Sequence, residues 1–590
     1  MQELKSPSGG LEYCPMSDKK NPTKFIFISG GVLSGLGKGV TASSLGFLLQ
    51  NRGYKITNIK CENYLNLDSG NINPTEHGDV FLCEDGTEAD MDLGTYERFL
   101  GQEVGAKNYT TIGQIYQKVI NDACNLKYGG ATVEAIPHVP EEVIRRIEKA
   151  AEGYEIVLIE LGGTAGEYQN IVYFEAYRIM KLKRPNDVIH AHVTYFPRPE
   201  HINELKSKPT QLSVKQLQSM GIQPDFIIGR SPIPIDEKRK EKVAYFCNVT
   251  REDVISNQDM KSIYQIPLNF AEQDFDKRVL EKLQLPIGRA NLSDWRQMVD
   301  SLLCPDGQRV QIGIISKYIK SGDFELQDSY ASLLEALKHA AAADDVRLEI
   351  KFIDAESLEA KDVKLKKVLG DLDGIVVPIG WGSRGVEGKI AAIKFAREHK
   401  VPYLGLCYGM QLAVIEWARN VAKIKGATTE EIEPEAADRV IHAIPFDSKY
   451  QKIKGEGASM RLGGYDCILQ KGSLVDQIYA KSGAYKDKSK NLISERHRHR
   501  YEVNNAYLEK LEGTGLVFSG KSPDGFFVEM IELPKKIHPF FVATQAHPEY
   551  KSSPLHPHPL FSAFLEAAKP KPKAKLIDQV LTKKLDKKDL

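Results

Sequence analysis

Near the carboxyl end, three side chains are spaced as a nucleophile and its base. Cys407 closes the apolar run PYLGLC, Pro402 to Cys407, and Tyr408-Gly409-Met410-Gln411 opens a helical pattern behind it. A thiol on a tight strand-to-helix turn is presented to substrate, and the helix N-terminus favours its thiolate. Later, the segment ATQAHPEY places His547 and Glu549 one residue apart. His547 can take the thiol proton and Glu549 can orient the ring, the logic of a triad with cysteine as nucleophile. A third segment, VPIGWG from Val377 to Gly382, ends another apolar strand and can offer backbone N–H groups to an oxyanion. These features point to amide hydrolysis through a thioester.

A second set of reactive residues lies near the amino end, in FIFISGGVLSGLGKGVTASSLGFLL, Phe25 to Leu49. An apolar strand, Phe25 to Ile28, runs into a glycine-dense turn containing Lys38, and a helical pattern begins at Val40. Strand, glycine turn and helix N-terminus together bind phosphates, because backbone N–H groups converge there and the helix dipole favours an anion. Lys38 adds a charge for β/γ-phosphates. The spacing departs from GxxxxGK[ST]: one extra residue precedes Gly37, and Gly39 follows the lysine in place of a hydroxyl residue. Downstream, Asp68, Asp79, Glu84, Asp85, Glu88, Asp90 and Asp92 crowd one polar stretch, and Glu160 ends the apolar run EIVLIE. Acids close to a phosphate-binding lysine suggest Mg²⁺, which takes a few carboxylates together with water and phosphate oxygens. Lys206, Lys208, Gln211 and Lys242 offer polar contacts for a second phosphorylated ligand.

Positioning these groups requires parallel strands, whose carboxyl ends hold ligands in α/β sheets. Runs at Lys55 to Lys60, Glu155 to Leu161, Val188 to Val193 and Asp225 to Ile228 alternate with helical stretches such as Glu141 to Ala151. After Trp295 the turn signal Cys304-Pro-Asp-Gly307 precedes a second series at Val310 to Ile315, Arg347 to Ile353, Gly374 to Pro378 and Pro402 to Cys407. The fold class expected is therefore α/β, with two open, mostly parallel sheet domains and no internal repeat joining them. Residues 1–22 read as a disordered extension, 23–300 as the phosphate-binding domain, 301–308 as a linker, 309–567 as the cysteine domain and 568–590 as a basic tail. At 590 residues the chain exceeds one core. Its 79 basic and 79 acidic residues cancel, which argues against a nucleic-acid coat, and the basic run Arg496 to Arg500 is flanked by glutamates. Eight cysteines without a CxxC pair suggest a reducing, cytoplasmic setting and no zinc ribbon. No apolar run is long enough to span a membrane, and no signal peptide opens the chain.

The motifs SGGVLSGLGKG, EHGDVFLCEDGTEADMDLGTYERF, GATVEAIPH, IELGGTAGE, KSKPTQLSV and SIYQIP resemble the CTP synthase family over roughly residues 23 to 565. The second half resembles the class I glutamine amidotransferases, and MRLG with ERHRHRYEVN narrows it to the CTP synthase version. The resemblance implies a P-loop-like synthetase (amidoligase) domain that aminates UTP at the expense of ATP, with ammonia from a glutaminase domain. By it, Ser34, Gly35, Leu36, Gly37, Lys38, Gly39, Lys60 and Asp92 serve ATP, while Asp92 and Glu160 hold Mg²⁺. Ser34, Lys206, Lys208, Gln211 and Lys242 fall near the triphosphate of UTP or of inhibitory CTP, and Asp90 and the segment at Glu167 line the nucleotide sites. Gly380 and Tyr408 form the oxyanion site, and Gly380, Gln411, Glu430 and Arg500 bind glutamine.

The resemblance further implies activation by GTP, a homodimer or homotetramer, filaments, and an enclosed ammonia passage near His77. Departures from the family pattern are Glu62-Asn63, Asp68-Ser69-Gly70, Asp79, Glu134, Leu212, Ile379 and Tyr408. Ile379 stands where glycine is usual and would be strained if that position needs a positive φ. Two alternatives are an amidoligase for another substrate, of the cobyrinate or dethiobiotin kind, and a catalytically weak filament or regulatory homologue. The terminal extensions suggest a eukaryotic source.

Overall fold

The computed structural model describes residues 22–72, 78–317, 320–321, 324–325, 327–360, 364–380, 382–445, 452–453 and 459–570. The amino-terminal extension before residue 22, His77, Trp381 and the tail beyond residue 570 lie outside the described residues.

Phe25 and Phe27 pack with Val157 and Ile159 on one face, while Ile26 and Ile28 pack with Leu45, Leu48 and Leu158 on the other. This period of two, apolar on both faces, is what a parallel strand covered by two helical layers requires. The sheet has seven strands in the order Tyr109–Thr111, Ile56–Glu62, Ile156–Leu161, Lys24–Gly30, Val188–Tyr195, Phe226–Ser231 and Val254–Gln258. Every pair is parallel. The chain leaves the central strand Lys24–Gly30 to one side and later returns to the other. That reversal opens a crevice beyond its carboxyl end, where Lys38 begins the helix Lys38–Asn51.

The second sheet has ten strands. Arg347–Asp354, Arg309–Ser316, Gly374–Val377, Tyr403–Leu406 and Phe541–Thr544 are mutually parallel. Val528–Glu532, Val517–Lys521 and Ser459–Leu469 continue it antiparallel, and Lys452–Ile453 and Leu492–His499 pair with Ser459–Leu469. The strands expected from sequence form four of the five parallel strands of this sheet, and Phe541–Thr544 is the fifth. The antiparallel part carries many polar residues and gave no such signal.

The two sheets are joined by packed elements. Helix Ser293–Leu303 buries Trp295 against Phe47, Phe99 and Tyr264, and the next strand starts at Arg309. The Tyr264 hydroxyl donates to Glu335 (2.6 Å) and meets His339 Nε2 (2.7 Å), whose Nδ1 meets Ser552 Oγ at 3.0 Å.

The acid-rich stretch is an antiparallel hairpin, Val80–Leu82 with Glu88–Asp90, followed by helix Met91–Leu100. Two of its acids, Glu84 and Glu88, serve the join instead of a metal, as does Glu97 in the helix that follows. Arg496 Nε contacts Glu84 (3.1 Å) and its two terminal nitrogens grip Glu97 (2.9 and 3.1 Å), while Arg498 pairs with Glu88 at 2.7 Å. The expectation of a metal-binding acid cluster is corrected accordingly, with Asp92 the acid of this run that reaches the phosphate turn. Among the described residues no helix is long and apolar enough to cross a membrane.

Candidate active site

At the phosphate site, the turn after Gly30 runs through positive φ at Val32, Gly35 and Gly37, with Ser34 and Gly35 exposed and Leu36 buried. Gly37 starts the helix with no side-chain cap, so backbone N–H groups remain for an anion. Lys38 Nζ donates to the Gly163 carbonyl at 2.9 Å. Burial and the neighbouring Lys60 lower the Lys38 pKa. Gly39 is required by contact, because a Cβ there would lie 2.1 Å from Asp92 Oδ1.

Lys60 is buried and bonds Asp92 (2.5 Å) and Glu160 (2.7 Å). Burial opposes its charge, but Asp92, Glu160 and Glu62 hold it well above the usual lysine value. Glu160 rises to about 7 through burial and the charge on Asp92, with Lys60 opposing. Asp90 accepts from the Asp92 N–H (2.9 Å), so the hairpin end fixes the helix that carries Asp92. The structure thus gathers Lys38, Gly39, Lys60, Asp92 and Glu160. Among the described residues no group of three or more His, Cys, Asp or Glu could hold a metal. Two carboxylates at a phosphate turn are nevertheless a donor set that fits Mg²⁺, which commonly completes its shell with phosphate oxygens and water.

Glu167 lies beside this site, its carboxylate on Asn63 Nδ2 (2.5 Å) and the Thr164 N–H (2.8 Å). Lys206 leads into helix Lys208–Ser219, and Gln211 Nε2 bonds Ser207 Oγ at 3.1 Å. Leu212 and Lys242 are exposed on neighbouring helices, and Ser213, next to Leu212, packs against Gly31 at the start of the phosphate turn.

The thiol site is built on an elbow. Cys407 has φ 51° and ψ −99°, an unusual conformation for a residue with a side chain, between strand Tyr403–Leu406 and helix Tyr408–Asn420. Its Sγ faces the Arg498 carbonyl (3.7 Å) and accepts from Gln545 Nε2 at 3.5 Å. His547 Nδ1 bonds Glu549 at 2.7 Å. Burial opposes protonation of His547, but the charges of Glu549 and Cys407 raise it to about 10. That favours an imidazolium beside the sulfur.

Tyr408 begins the helix and donates to the Gly382 carbonyl at 3.3 Å. Gly382 N–H donates to Glu431 at 2.6 Å. Ile379 has no positive φ and packs against the core, so the strain that its β-branch would bring does not arise. Gln411 is buried and donates to the Tyr501 carbonyl (2.9 Å) and Gln545 Oε1 (3.3 Å). Glu430 accepts the Ala443 N–H (2.9 Å). Arg500 and Glu431 share a cavity of about 310 Å³ with Arg498, Tyr501, Glu88 and Gly70, so both domains line it.

Sequence reasoning missed Gln545 and Lys389 here, and named Asp79 only among the acids of the polar stretch and as a departure from the family pattern. Gln545 touches Cys407, and its signal was a polar residue closing the apolar run FVAT. Lys389 lies buried behind the turn at Gly380, and its signal was a lysine on the apolar stripe of Val386, Ile390 and Ile393. Asp79, from the other domain, lies within the electrostatic reach of Glu549 and His547, its carboxyl raised to about 7 by burial and by Glu549.

Two family models match this chain, one in each half. Residues 24–285 match the model of the CTP synthase N-terminus, and residues 325–567 match glutamine amidotransferase class-I. A CTP synthase of Caldanaerobacter subterraneus subsp. tengcongensis is 46% identical over 547 residues, 92% of this chain and 98% of that protein. The CTP synthases of Pyrococcus furiosus (45% identical, 93% and 98% covered) and Methanocaldococcus jannaschii (46%, 92% and 98%) are similar over the same extent.

Proposed function

The chain belongs to the CTP synthase family, and from that premise we infer how its two sites divide the work. The enzyme aminates UTP to CTP, driven by ATP and dependent on glutamine. The observation that carries this reading is the presence on one chain of a Cys407–His547–Glu549 elbow and a Lys38–Lys60–Asp92–Glu160 phosphate turn.

In the glutaminase domain, 309–567, His547 takes the Cys407 proton and Glu549 holds the imidazolium. The thiolate attacks the glutamine amide carbon, and backbone N–H groups at Gly380 and Tyr408 receive the oxygen's charge. His547 then protonates the departing ammonia, and water cleaves the thioester to give glutamate. Gln411, Glu430 and Arg500 orient glutamine, with Glu431 available at the same cavity.

In the synthetase domain, 23–300, the turn from Ser34 to Gly39 and Lys60 bind ATP, and Ser34, Lys206, Lys208, Gln211 and Lys242 meet the second triphosphate. Lys38 and Lys60 neutralise charge as the γ-phosphoryl passes to uracil O4. Ammonia then displaces phosphate from C4. Asp92 and Glu160 would hold Mg²⁺, whose chemistry is to neutralise phosphate charge. Ammonia crosses the join near Asp79, where the hairpin end docks on Tyr550 through its hydroxyl and the Val80 carbonyl (3.0 Å).

Use of Mg²⁺, activation by GTP, inhibition by CTP, assembly to a dimer, tetramer or filament, and a cytoplasmic location extend the reading by family likeness. A eukaryotic source rests on the terminal extensions alone, and the three relatives named above are bacterial or archaeal.

The test is CTP formation from UTP, ATP and Mg²⁺, with glutamine and GTP or with ammonium, for the native chain and Cys407→Ala. Product in both native assays, but only with ammonium in the variant, is expected. Glutaminase or ATPase activity without CTP would remove UTP as the substrate.

A further inference from the structure

Lys389 is completely buried in helix Val386–His399. An ammonium has three N–H donors to satisfy. Its Nζ donates to the Pro378 carbonyl at 3.2 Å and stands 5.5 Å from the centre of the Tyr408 ring. Among the described residues no carboxylate pairs with it. Buried charges are ordinarily paired, because an isolated one is costly in a low dielectric. The structure therefore holds a buried amine that no carboxylate among the described residues neutralises, so its charged form calls for another anion.

The location shows where that anion would form. A Cβ at Gly380 would fall 3.0 Å from Lys389 Nζ and 3.3 Å from Tyr408 Cδ1, so the ammonium packs directly behind the turn through Gly380. The same turn is held from another side by Lys317, which donates to the Gly382 carbonyl at 2.8 Å. Pro378 thus gives its carbonyl to Lys389, and Gly382 gives its carbonyl to Lys317 and Tyr408.

We propose that Lys389 is a positioning residue of the glutaminase site, a buried ammonium that fixes the turn at Pro378 and Gly380 and stabilises through it the negative charge formed during thioester chemistry. The proposal rests on the glutaminase reading above. The charged and titratable groups facing Lys389 are Lys317 from the strand Arg309–Ser316 side, and Cys407 and Tyr408 from the elbow. Burial and Lys317 push the Lys389 pKa down to about 7, with Cys407 opposing. Lys389 is therefore charged below that pH and loses its charge above it, so its contribution should fade with rising pH. A purely steric support would not.

Glutamine hydrolysis is measured from about pH 6 to 9 for the native chain, Lys389→Met and Lys389→Gln, with ammonium-supported CTP formation as the control for folding. The expected result is a kcat lowered about 10- to 100-fold near pH 6 in both variants, with the glutamine KM within about twofold of native. The deficit should narrow to a few-fold above about pH 8, and ammonium-supported synthesis should stay at the native level. A deficit independent of pH, or a change confined to KM, would overturn the proposal. If both variants lose ammonium-supported synthesis through misfolding, Tyr408→Leu decides. By removing the ring beneath the ammonium it should lower the pH at which native hydrolysis declines, and an unmoved profile would count against the proposal. A native chain with no glutaminase, or one whose glutaminase survives Cys407→Ala, would refute the underlying site reading and this inference with it.

Discussion

Replacing Arg496 with methionine should loosen the contact between the two domains. The Arg496 side chain is only 1% exposed, and it grips Glu97, itself 10% exposed, through two terminal nitrogens. It also donates to the Leu82 carbonyl at 3.0 Å and contacts the more exposed Glu84. Glu97 is already raised by burial, with Arg496 the main force opposing that rise. Methionine fills similar space but leaves Glu97 without its cation. Breaking one side of a buried pair costs about 3–5 kcal/mol, whereas replacing both partners by apolar residues is often nearly neutral.

At 1.4 kcal/mol per factor of ten, local opening of the join should become more frequent by about two to three and a half orders of magnitude. Local exchange is the proper measure, since a chain of two domains has no single unfolding free energy. Amide exchange in Leu492–His499 and Met91–Leu100 should accelerate by that amount in Arg496→Met and largely recover in Arg496→Met with Glu97→Leu. A carboxyl whose folded pKa is raised favours the folded state when protonated. The single variant's deficit should therefore grow as pH rises through that value. Exchange within about threefold of native in the single variant, or no recovery in the double, would refute the reasoning.

Gly39→Ala would place a methyl 2.1 Å from Asp92 Oδ1, so ammonium-supported synthesis should fall at least about tenfold while glutamine hydrolysis continues, measured side by side. Glu549→Gln removes the main charge that raises His547, and should lower glutamine hydrolysis about 10²- to 10⁴-fold without affecting ammonium-supported synthesis. The Tyr264–Glu335–His339 cluster at the join should weaken in acid. His339 is lowered from 6.5 to about 3 by burial, so the unfolded chain takes up its proton first and stability falls as pH drops below about 6.5. Burial opposes ionisation of Glu335, but Lys338, His339 and Arg98 hold it at about 2, so its contribution is lost as pH falls from about 4.5 toward 2. His339→Gln should flatten the melting temperature between pH 6.5 and 4.5, and an unchanged pH profile would count against this account.

What was legible in the sequence was local. The strand-to-helix elbow at Cys407, the glycine turn before Lys38 and the HPE segment each declare themselves within a few residues, because backbone geometry and chemistry are set by neighbours. Most of the parallel strands were legible for a related reason, although Tyr109–Thr111, Val254–Gln258 and Phe541–Thr544 were not among the runs expected. With both faces buried, the legible strands read as apolar runs. The polar antiparallel strands, and the hairpin inside the acid-rich stretch, were not legible, because their burial depends on partners far away in the chain. Arg496 and Glu84 are 412 residues apart, and neither residue type announces the other.

The strand Leu492–His499 shows why that missing information bears on function. Its alternation turns Arg496 and Arg498 toward the hairpin of the synthetase domain and His497 and His499 toward the interior of their own sheet, as period two requires. The same strand gives its Arg498 carbonyl to Cys407 and its Arg496 carbonyl to the His547 N–H (2.8 Å). The side chains that join the domains and the backbone that seats nucleophile and base are therefore one rigid element. A shift of the hairpin Val80–Asp90, which leads directly into the helix of Asp92, would be felt at the thiol through Glu88 and Arg498. The acids that looked like a metal cluster lie between the two chemistries, and their pairing with arginine is the physical link between them.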